Sequence, residues 1–375
     1  MIRVLFLINS LGGGGAERVL VNLVNNMDKN NFDITVQTIF PAGVNKEYLS
    51  SEVKLLEGKI PLFKGASVVF KNIPRKTLLR LCKVKKDYDV VIAYMHGIPT
   101  KILWNYKNAP KLAWLHCDME HSSLPKYFTT NQITECFNTY EKIVGVSQSV
   151  CDSFEKLYGL KHKLRVAYNT NDTKKIRELS TKNINSHQEW SGFSGIKLIT
   201  IGRLHPQKGY DRLVNVCKSL QKEQIEYKLL ILGMGAEKEN LERKIYEYGL
   251  EDQVILGGYI NNPYPYIKKA DLFVCSSRYE GLSTVMSETL ILNTPIITTD
   301  VSGAREVLGE NDEYGLVVDN NEEALYERLK WLLQNPQNIK YYKKKASERA
   351  EFFETERTVY EVEKMIKEVV RCQKS

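Results

Sequence analysis

The chain has 375 residues, 43% of them hydrophobic and 26% charged, which excludes an intrinsically disordered chain and suits a folded protein of about two domains. The net charge of +8 is uneven, with 23 Lys+Arg against 14 Asp+Glu in residues 1–170 and near neutrality in the remainder. Seven dispersed cysteines with no C-x-x-C pair exclude a disulfide framework or a zinc site and suit a reducing, cytoplasmic setting.

The chain opens on MIRVLFLINS, whose apolar run is shorter than a signal-peptide core, and no later stretch is long enough to span a bilayer. A strand is predicted over 2–9 and a helix over 15–27, joined by SLGGGG. A second strand covers 32–40. Residues 59–86 contain no acidic residue and interleave their basic residues with Leu, Phe, Val and Ile. Such a segment either lies on an anionic membrane surface or forms a solvated helix face whose apolar side enters the core. No nucleic-acid-binding signature accompanies it, so nucleic acid is not an expected partner. Strands follow over 89–95, 110–115 and 142–147. The one D-x-D, Asp87-Tyr88-Asp89, precedes its strand and reads as an exposed turn rather than a metal site.

Residues 171–195 are polar, lack strand character and end in Gly and Ser, so a hinge is predicted there between domains over 1–170 and 196–354. Beyond it, strands over 196–202, 227–233, 253–259, 271–277, 295–299 and 315–318 alternate with helices over 209–222, 236–248 and 321–334. Several are continuous apolar runs, as strands buried on both faces of a parallel sheet require. The alternation predicts doubly wound α/β domains. The last stretch, ERTVYEVEKMIKEVVRC, is helical in period with no strand after it.

Three motifs carry chemistry. Gly12 to Gly15 allow a sharp turn and close approach of a ligand, and the helix that follows points its N-terminal N–H groups at it. A dinucleotide fingerprint would need glycine where Glu17 stands and an acidic residue at the end of the second strand, so a nicotinamide dehydrogenase is not expected. Arg203 and Lys208 lie just past a strand, at the edge where open α/β sheets bind ligands, and suit a diphosphate. Glu280 and Glu288 have seven residues between them; on one helix they would be about 12 Å apart along the axis, too far to share a proton. They read as grips on two separated parts of one long ligand.

Taken in order, GGGGAE (12–17), WLH (114–116), GVSQSV (145–150), GRLHPQKG (202–209), LGMG (232–235), AD (270–271), EGLSTVMSE (280–288) and TPIITTDVSGAREVL (294–308) resemble the retaining family 4 glycosyltransferases of GT-B fold. The resemblance implies two Rossmann-like domains facing across a cleft. The first takes the acceptor and the second a nucleotide sugar, and residues 355–375 return to the first. It implies that Glu280 and His116 act at the donor sugar, and that Glu288 binds the ribose. It brings Gly281 and the N–H groups of Leu282, Ser283 and Thr284 to the diphosphate, with Gly14 and Gly15, while Arg203 and Lys208 neutralise the leaving group. Tyr259 and Ile260 fall where the family holds the base. His96, at another strand end, is a further lining residue.

The implied reaction transfers a hexose or N-acetylhexosamine, with UDP as the expected carrier, to a glycan or lipid-linked glycan of a surface polysaccharide. It proceeds with retention, without metal or cofactor, in the cytoplasm or at the inner membrane face. A nucleotide-sugar epimerase of similar fold is the alternative, and a glycoside hydrolase leaves Arg203, Lys208 and the glycine loop unexplained. Two departures from the family pattern stand out: NTND at 169–172 in place of N-G-V-D, and, after the second glutamate, SETLILN (287–293) in place of a Glu-Ala start.

Overall fold

A computed structural model describes residues 1–41, 43–61 and 66–372, without the side chains of 66–68 and 75. It divides into two compact units, one of residues 1–170 with 355–375 and one of residues 171–354.

The first unit is built on a seven-stranded sheet. Its strands are β1 (Ile2–Ile8), β2 (Phe32–Thr38), β3 (Lys54–Leu56), β4 (Val90–Ala93), β5 (Lys111–Leu115), β6 (Lys142–Gly145) and β7 (Leu164–Val166). They lie in the order β3-β2-β1-β4-β5-β6-β7, and every pairing is parallel. β1 is an interior strand, and Val4 to Ile8 are sealed from solvent because helices cover both faces of such a sheet. Val19, Leu20, Leu23 and Val24 of the helix Gly15–Asn26 supply apolar spacing at i, i+1, i+4 and i+5 and are buried.

The second unit holds six strands: β8 (Ile196–Ile201), β9 (Tyr227–Leu232), β10 (Val254–Gly258), β11 (Leu272–Cys275), β12 (Ile296–Thr299) and β13 (Leu316–Val318). Their order, β10-β9-β8-β11-β12-β13, is that of the first sheet without its last edge strand. One core joins Leu198, Leu229, Ile231, Val274 and Ile297 of the sheet to Leu213 and Leu220 of the helix Tyr210–Gln221 and Leu325, Leu329 and Leu332 of the helix Glu322–Gln334. Parallel, doubly wound architecture is therefore as expected in both units.

Three details differ. β3 and β7 were not predicted; each is three residues long, and each is an edge strand with partly exposed side chains. Residues 171–195 cluster with the second unit rather than standing apart from it. They contain the helices Thr173–Leu179 and Gln188–Ser191, and Trp190 is fully buried with Nε1 donating to the Leu198 carbonyl at 3.0 Å. Polar composition concealed these anchors.

The basic segment shows both halves of its expected character. Phe70, Leu78 and Cys82 are buried, while Lys71, Lys76, Arg80 and Lys83 are exposed together with Val69 and Leu81. Residues 62–65 of it lie outside the described residues. Among the described residues no helix is long and apolar enough to cross a membrane.

Candidate active site

β8 and β11 are neighbours at the point where the strand order of the second sheet reverses. Open α/β sheets bind ligands at the carboxyl edge of such a pair. The loop after β8 carries Arg203, exposed, and a short turn, Pro206–Lys208, in which His205 Nδ1 accepts from the Gln207 N–H at 3.2 Å. Gly209 then enters the helix Tyr210–Gln221 at φ 65°, and a Cβ there would stand 2.1 Å from the Ser276 carbonyl oxygen. Only glycine satisfies both the backbone and the contact.

The loop after β11 is thus pressed against the loop after β8 and laced to it. Ser276 Oγ donates to the Lys208 carbonyl at 2.9 Å, Gln207 Nε2 to the Tyr279 carbonyl at 3.0 Å, and the Arg278 N–H to the Gln207 carbonyl at 2.7 Å. Across this seam Lys208 Nζ donates to Glu280 Oε1 at 2.6 Å, with side chains only 19% and 9% exposed. Ser277 Oγ donates to the same oxygen at 2.7 Å. Burial pulls the Lys208 ammonium toward neutrality, but Glu280 outweighs it and the pKa stands above the ordinary lysine value. Lys208 is therefore charged at neutral pH.

Glu280 lies in the loop, and the helix begins only at Thr284 (Thr284–Ile291), so the two glutamates do not share one helix. Ser283 caps the helix with extended backbone; Gly281, Leu282 and Ser283 are buried and Thr284 is half-buried. The N–H groups of a first helical turn have no partner within the helix and carry partial positive charge. Glu288 is half-buried and accepts from the Tyr264 hydroxyl at 3.2 Å. Next to it Ser287 Oγ accepts from Asn171 Nδ2 at 2.9 Å, which gives the unusual NTND stretch a packing role beside Glu288. Tyr259 and Ile260 follow β10, with Tyr259 64% exposed.

In the first unit the corresponding edge gathers three segments that follow β1, β4 and β5. Gly14 caps the helix Gly15–Asn26. None of Gly12 to Gly15 uses a positive φ, so the sharp turn expected there is made with ordinary dihedrals. A Cβ on Gly14 would meet only the end of the flexible Glu17 side chain, at 2.3 Å. Gly12 is held by its carbonyl, which accepts from Asn45 Nδ2.

His116 follows β5, and its Nε2 donates to the Tyr94 carbonyl at 2.8 Å, leaving Nδ1 as the acceptor of a neutral ring. Burial, with repulsion from His96, outweighs the Tyr94 bond and brings its pKa down to about 3. Burial alone lowers His96 to about 4; its Nε2 lies 3.5 Å from Cys117 Sγ. Both imidazoles are therefore neutral at physiological pH. Asp89 of the D-x-D is bonded to Arg3 at the opposite, amino end of the sheet, with Arg3 Nη2 to Asp89 Oδ1 at 3.1 Å. Among the described residues no group of three or more His, Cys, Asp or Glu could hold a metal ion.

Three residues on which the local geometry depends escaped the sequence reading: Ser277, Arg212, whose Nε donates to the Ser276 carbonyl at 2.7 Å, and Tyr264. Ser277 sits three residues before Glu280, a spacing at which a loop hydroxyl can reach back to a carboxylate. The others are brought in from distant elements and leave no local signal.

Two doubly wound parallel α/β units, with a cation–carboxylate pair at a switch point, define the class. Residues 13–175 match the model of Glycosyltransferase Family 4, and residues 188–349 that of Glycosyl transferases group 1. The chain belongs to the family 4-type glycosyltransferases of GT-B fold, and it is an enzyme of that kind. It is 28% identical over 362 residues to the Campylobacter jejuni N-acetylgalactosamine-N,N'-diacetylbacillosaminyl-diphospho-undecaprenol 4-alpha-N-acetylgalactosaminyltransferase, spanning 92% of this chain and 94% of the relative. In fold it resembles the sucrose-phosphate synthase of Thermosynechococcus elongatus, with TM-score 0.80 and 16% identity over 99% of this chain and 100% of the other. Anabaena HepE in complex with UDP gives TM-score 0.75 and 17% identity over 98% and 100%.

Proposed function

We propose that this glycosyltransferase moves a hexose or N-acetylhexosamine, with retention, from a UDP-linked donor to a glycan or lipid-linked glycan acceptor in bacterial surface-polysaccharide assembly. The observation that carries the reading is the Lys208–Glu280 pair, set at the switch point of the second sheet beside the start of the helix Thr284–Ile291. The Campylobacter relative acts by its name on a diphospho-undecaprenol-linked glycan, and the Anabaena neighbour is a complex with UDP. Both support donor and acceptor classes of this kind.

In this reading the uridine diphosphate lies along the carboxyl edge of the second sheet. Glu288, steadied by Tyr264, takes the ribose hydroxyls, and Tyr259 and Ile260 flank the base. The N–H groups of Leu282, Ser283 and Thr284, with Gly281 at their start, face the diphosphate. Lys208 spends one of its three donors on Glu280 and turns the others toward phosphate oxygens, as does Arg203. Glu280 binds sugar hydroxyls. The C1–O bond to the diphosphate breaks as the acceptor oxygen bonds C1 on the same face, and the acceptor proton passes to the leaving phosphate. Fixed cationic groups stabilise the charge that gathers there. The exposed bases of residues 59–86, with Val69 and Leu81, rest on anionic lipid at the inner membrane face.

A thermal-shift screen of nucleoside diphosphates tests the donor site. UDP at about 100 times its Kd stabilises by roughly 2.7 kcal/mol, a rise of several degrees, and EDTA leaves the rise unchanged. Indifference to millimolar UDP would sink the donor assignment. Proton NMR of the product then reports the anomeric configuration. Sedimentation with phosphatidylglycerol vesicles checks the membrane contact, which should weaken as salt rises; no sedimentation at low salt removes it.

A further inference from the structure

We infer that Arg212 is a positioning residue for the donor-facing carboxylate of Glu280, acting through Ser277; the assignment rests on the donor reading above. Arg212 stands in the first turn of the helix Tyr210–Gln221 and is only 7% exposed. Among the described residues no carboxylate is hydrogen-bonded to it. Nε donates to the Ser276 carbonyl at 2.7 Å, Nη2 to the Ser277 carbonyl and to Thr299 Oγ1 at 3.2 Å, and Nη1 to the Asn320 carbonyl at 3.5 Å. Thr299 Oγ1 in turn donates to the Ser277 carbonyl at 2.7 Å, so that carbonyl is held by two donors.

Burying a guanidinium without a carboxylate is expensive, and an apolar side chain would fill the same space at less cost. What the arrangement provides is a fixed backbone at Ser276 and Ser277. The two side chains there are the ones that grip the donor loops: Ser276 Oγ bonds the Lys208 carbonyl and Ser277 Oγ bonds Glu280 Oε1. The neighbouring Asp211 fixes the next residue of the loop through a two-pronged pair with Arg278 at 2.8 and 2.7 Å. Glu280 is thereby oriented unequally. Oε1 accepts from both Lys208 and Ser277, whereas Oε2 accepts no hydrogen bond among the described residues and is not among the oxygens sealed from solvent. Arg212 and Ser277 set which oxygen is spent inside the protein and which is left to a sugar hydroxyl.

The test uses the full chain with Arg212→Lys and Ser277→Ala, the second removing one hydroxyl and leaving the buried guanidinium in place. UDP affinity is measured by titration. UDP release is followed for UDP-glucose, UDP-galactose and their N-acetyl counterparts with water as acceptor, its oxygen bonding C1 and its proton passing to the leaving diphosphate. Both variants should keep UDP affinity close to that of the unaltered chain and lose about 100-fold in kcat for the sugar it cleaves, as small misplacement at a reacting centre does. Ser277→Ala turning over at the unaltered rate would overturn the inference. So would a loss of UDP affinity in step with kcat, which a general role in holding the fold would produce. An unaltered chain that binds no UDP shows that the donor reading itself has failed, and the positioning role falls with it.

Discussion

Removal of the Lys208 ammonium would leave the Glu280 carboxylate, 8% exposed, with a single hydroxyl donor from Ser277. Breaking a buried pair at one end typically costs about 3–5 kcal/mol, and the partial exposure of Lys208 draws the expected loss for Lys208→Ala toward the lower figure. Lys208→Met with Glu280→Gln removes both charges and should recover most of that loss. Urea unfolding of the single and double variants gives the coupling; losses that simply add would contradict it. A second expectation concerns protons. His96 has its folded pKa lowered by burial from 6.5 to about 4, so the native state refuses a proton that the unfolded chain accepts. Its contribution, on the order of 3 kcal/mol, is complete above about pH 6.5 and is lost as pH falls toward 4. His96→Gln should flatten the fall in melting temperature between pH 7 and 4.5, and an unchanged slope would count against the assignment. At this scale the spacing of Glu280, Glu288, Arg203 and Lys208 was legible, because chemistry recurs in fixed local strings. Their supporting partners were not. Thr299 meets Arg212 from 87 positions away, and no window of sequence contains both.

Strands and turns separate by how much local pattern they carry. β1 and β9 are continuous apolar runs and were legible at once; β3 and β7 have three residues each and borrow their conformation from a neighbouring strand. Residues 171–195 are the converse case: their polar composition predicts a hinge, whereas Asp172 caps the Lys175 N–H at 3.1 Å and Ile176 and Trp190 anchor the stretch. Turn glycines allow a controlled comparison. Gly249 has φ 63° with nothing within 4 Å of an added Cβ, and Gly209 has φ 65° with the Ser276 carbonyl oxygen 2.1 Å away. Gly249→Ala should cost only the roughly 1–2 kcal/mol of a left-handed L residue. Gly209→Ala should cost more, since a backbone carbonyl rather than a flexible side chain stands in the way. Equal melting temperatures for the two variants would show that the seam between the loops yields freely.

The chain leaves the first unit at residue 170 and returns to it at 355, so the second unit is an insertion with its own ends. Residues 171–354 contain the complete six-stranded sheet and its core, and Glu354 closes the piece by pairing with Arg177 and accepting from Thr173 Oγ1 at 2.8 Å. The described residues of that core lie within 196–342. The first unit is different. The helix Thr355–Cys372 buries Val359, Val362, Met365, Ile366, Val369 and Val370, and Glu363 accepts from the Asp28 N–H at 2.7 Å. Six such side chains represent on the order of 10 kcal/mol of burial, comparable with the whole stability of a domain. Residues 171–354 produced alone should therefore melt cooperatively, whereas residues 1–170 without the final helix should not. If the donor cradle is complete in the second unit, the 171–354 piece also gains melting temperature from UDP, while a folded piece that ignores UDP would show that the first unit is needed to bind it. Circular dichroism across the melt, with and without UDP, reads both outcomes. A cooperative melt from 1–170 would mean that the returning helix adds little to the core it covers.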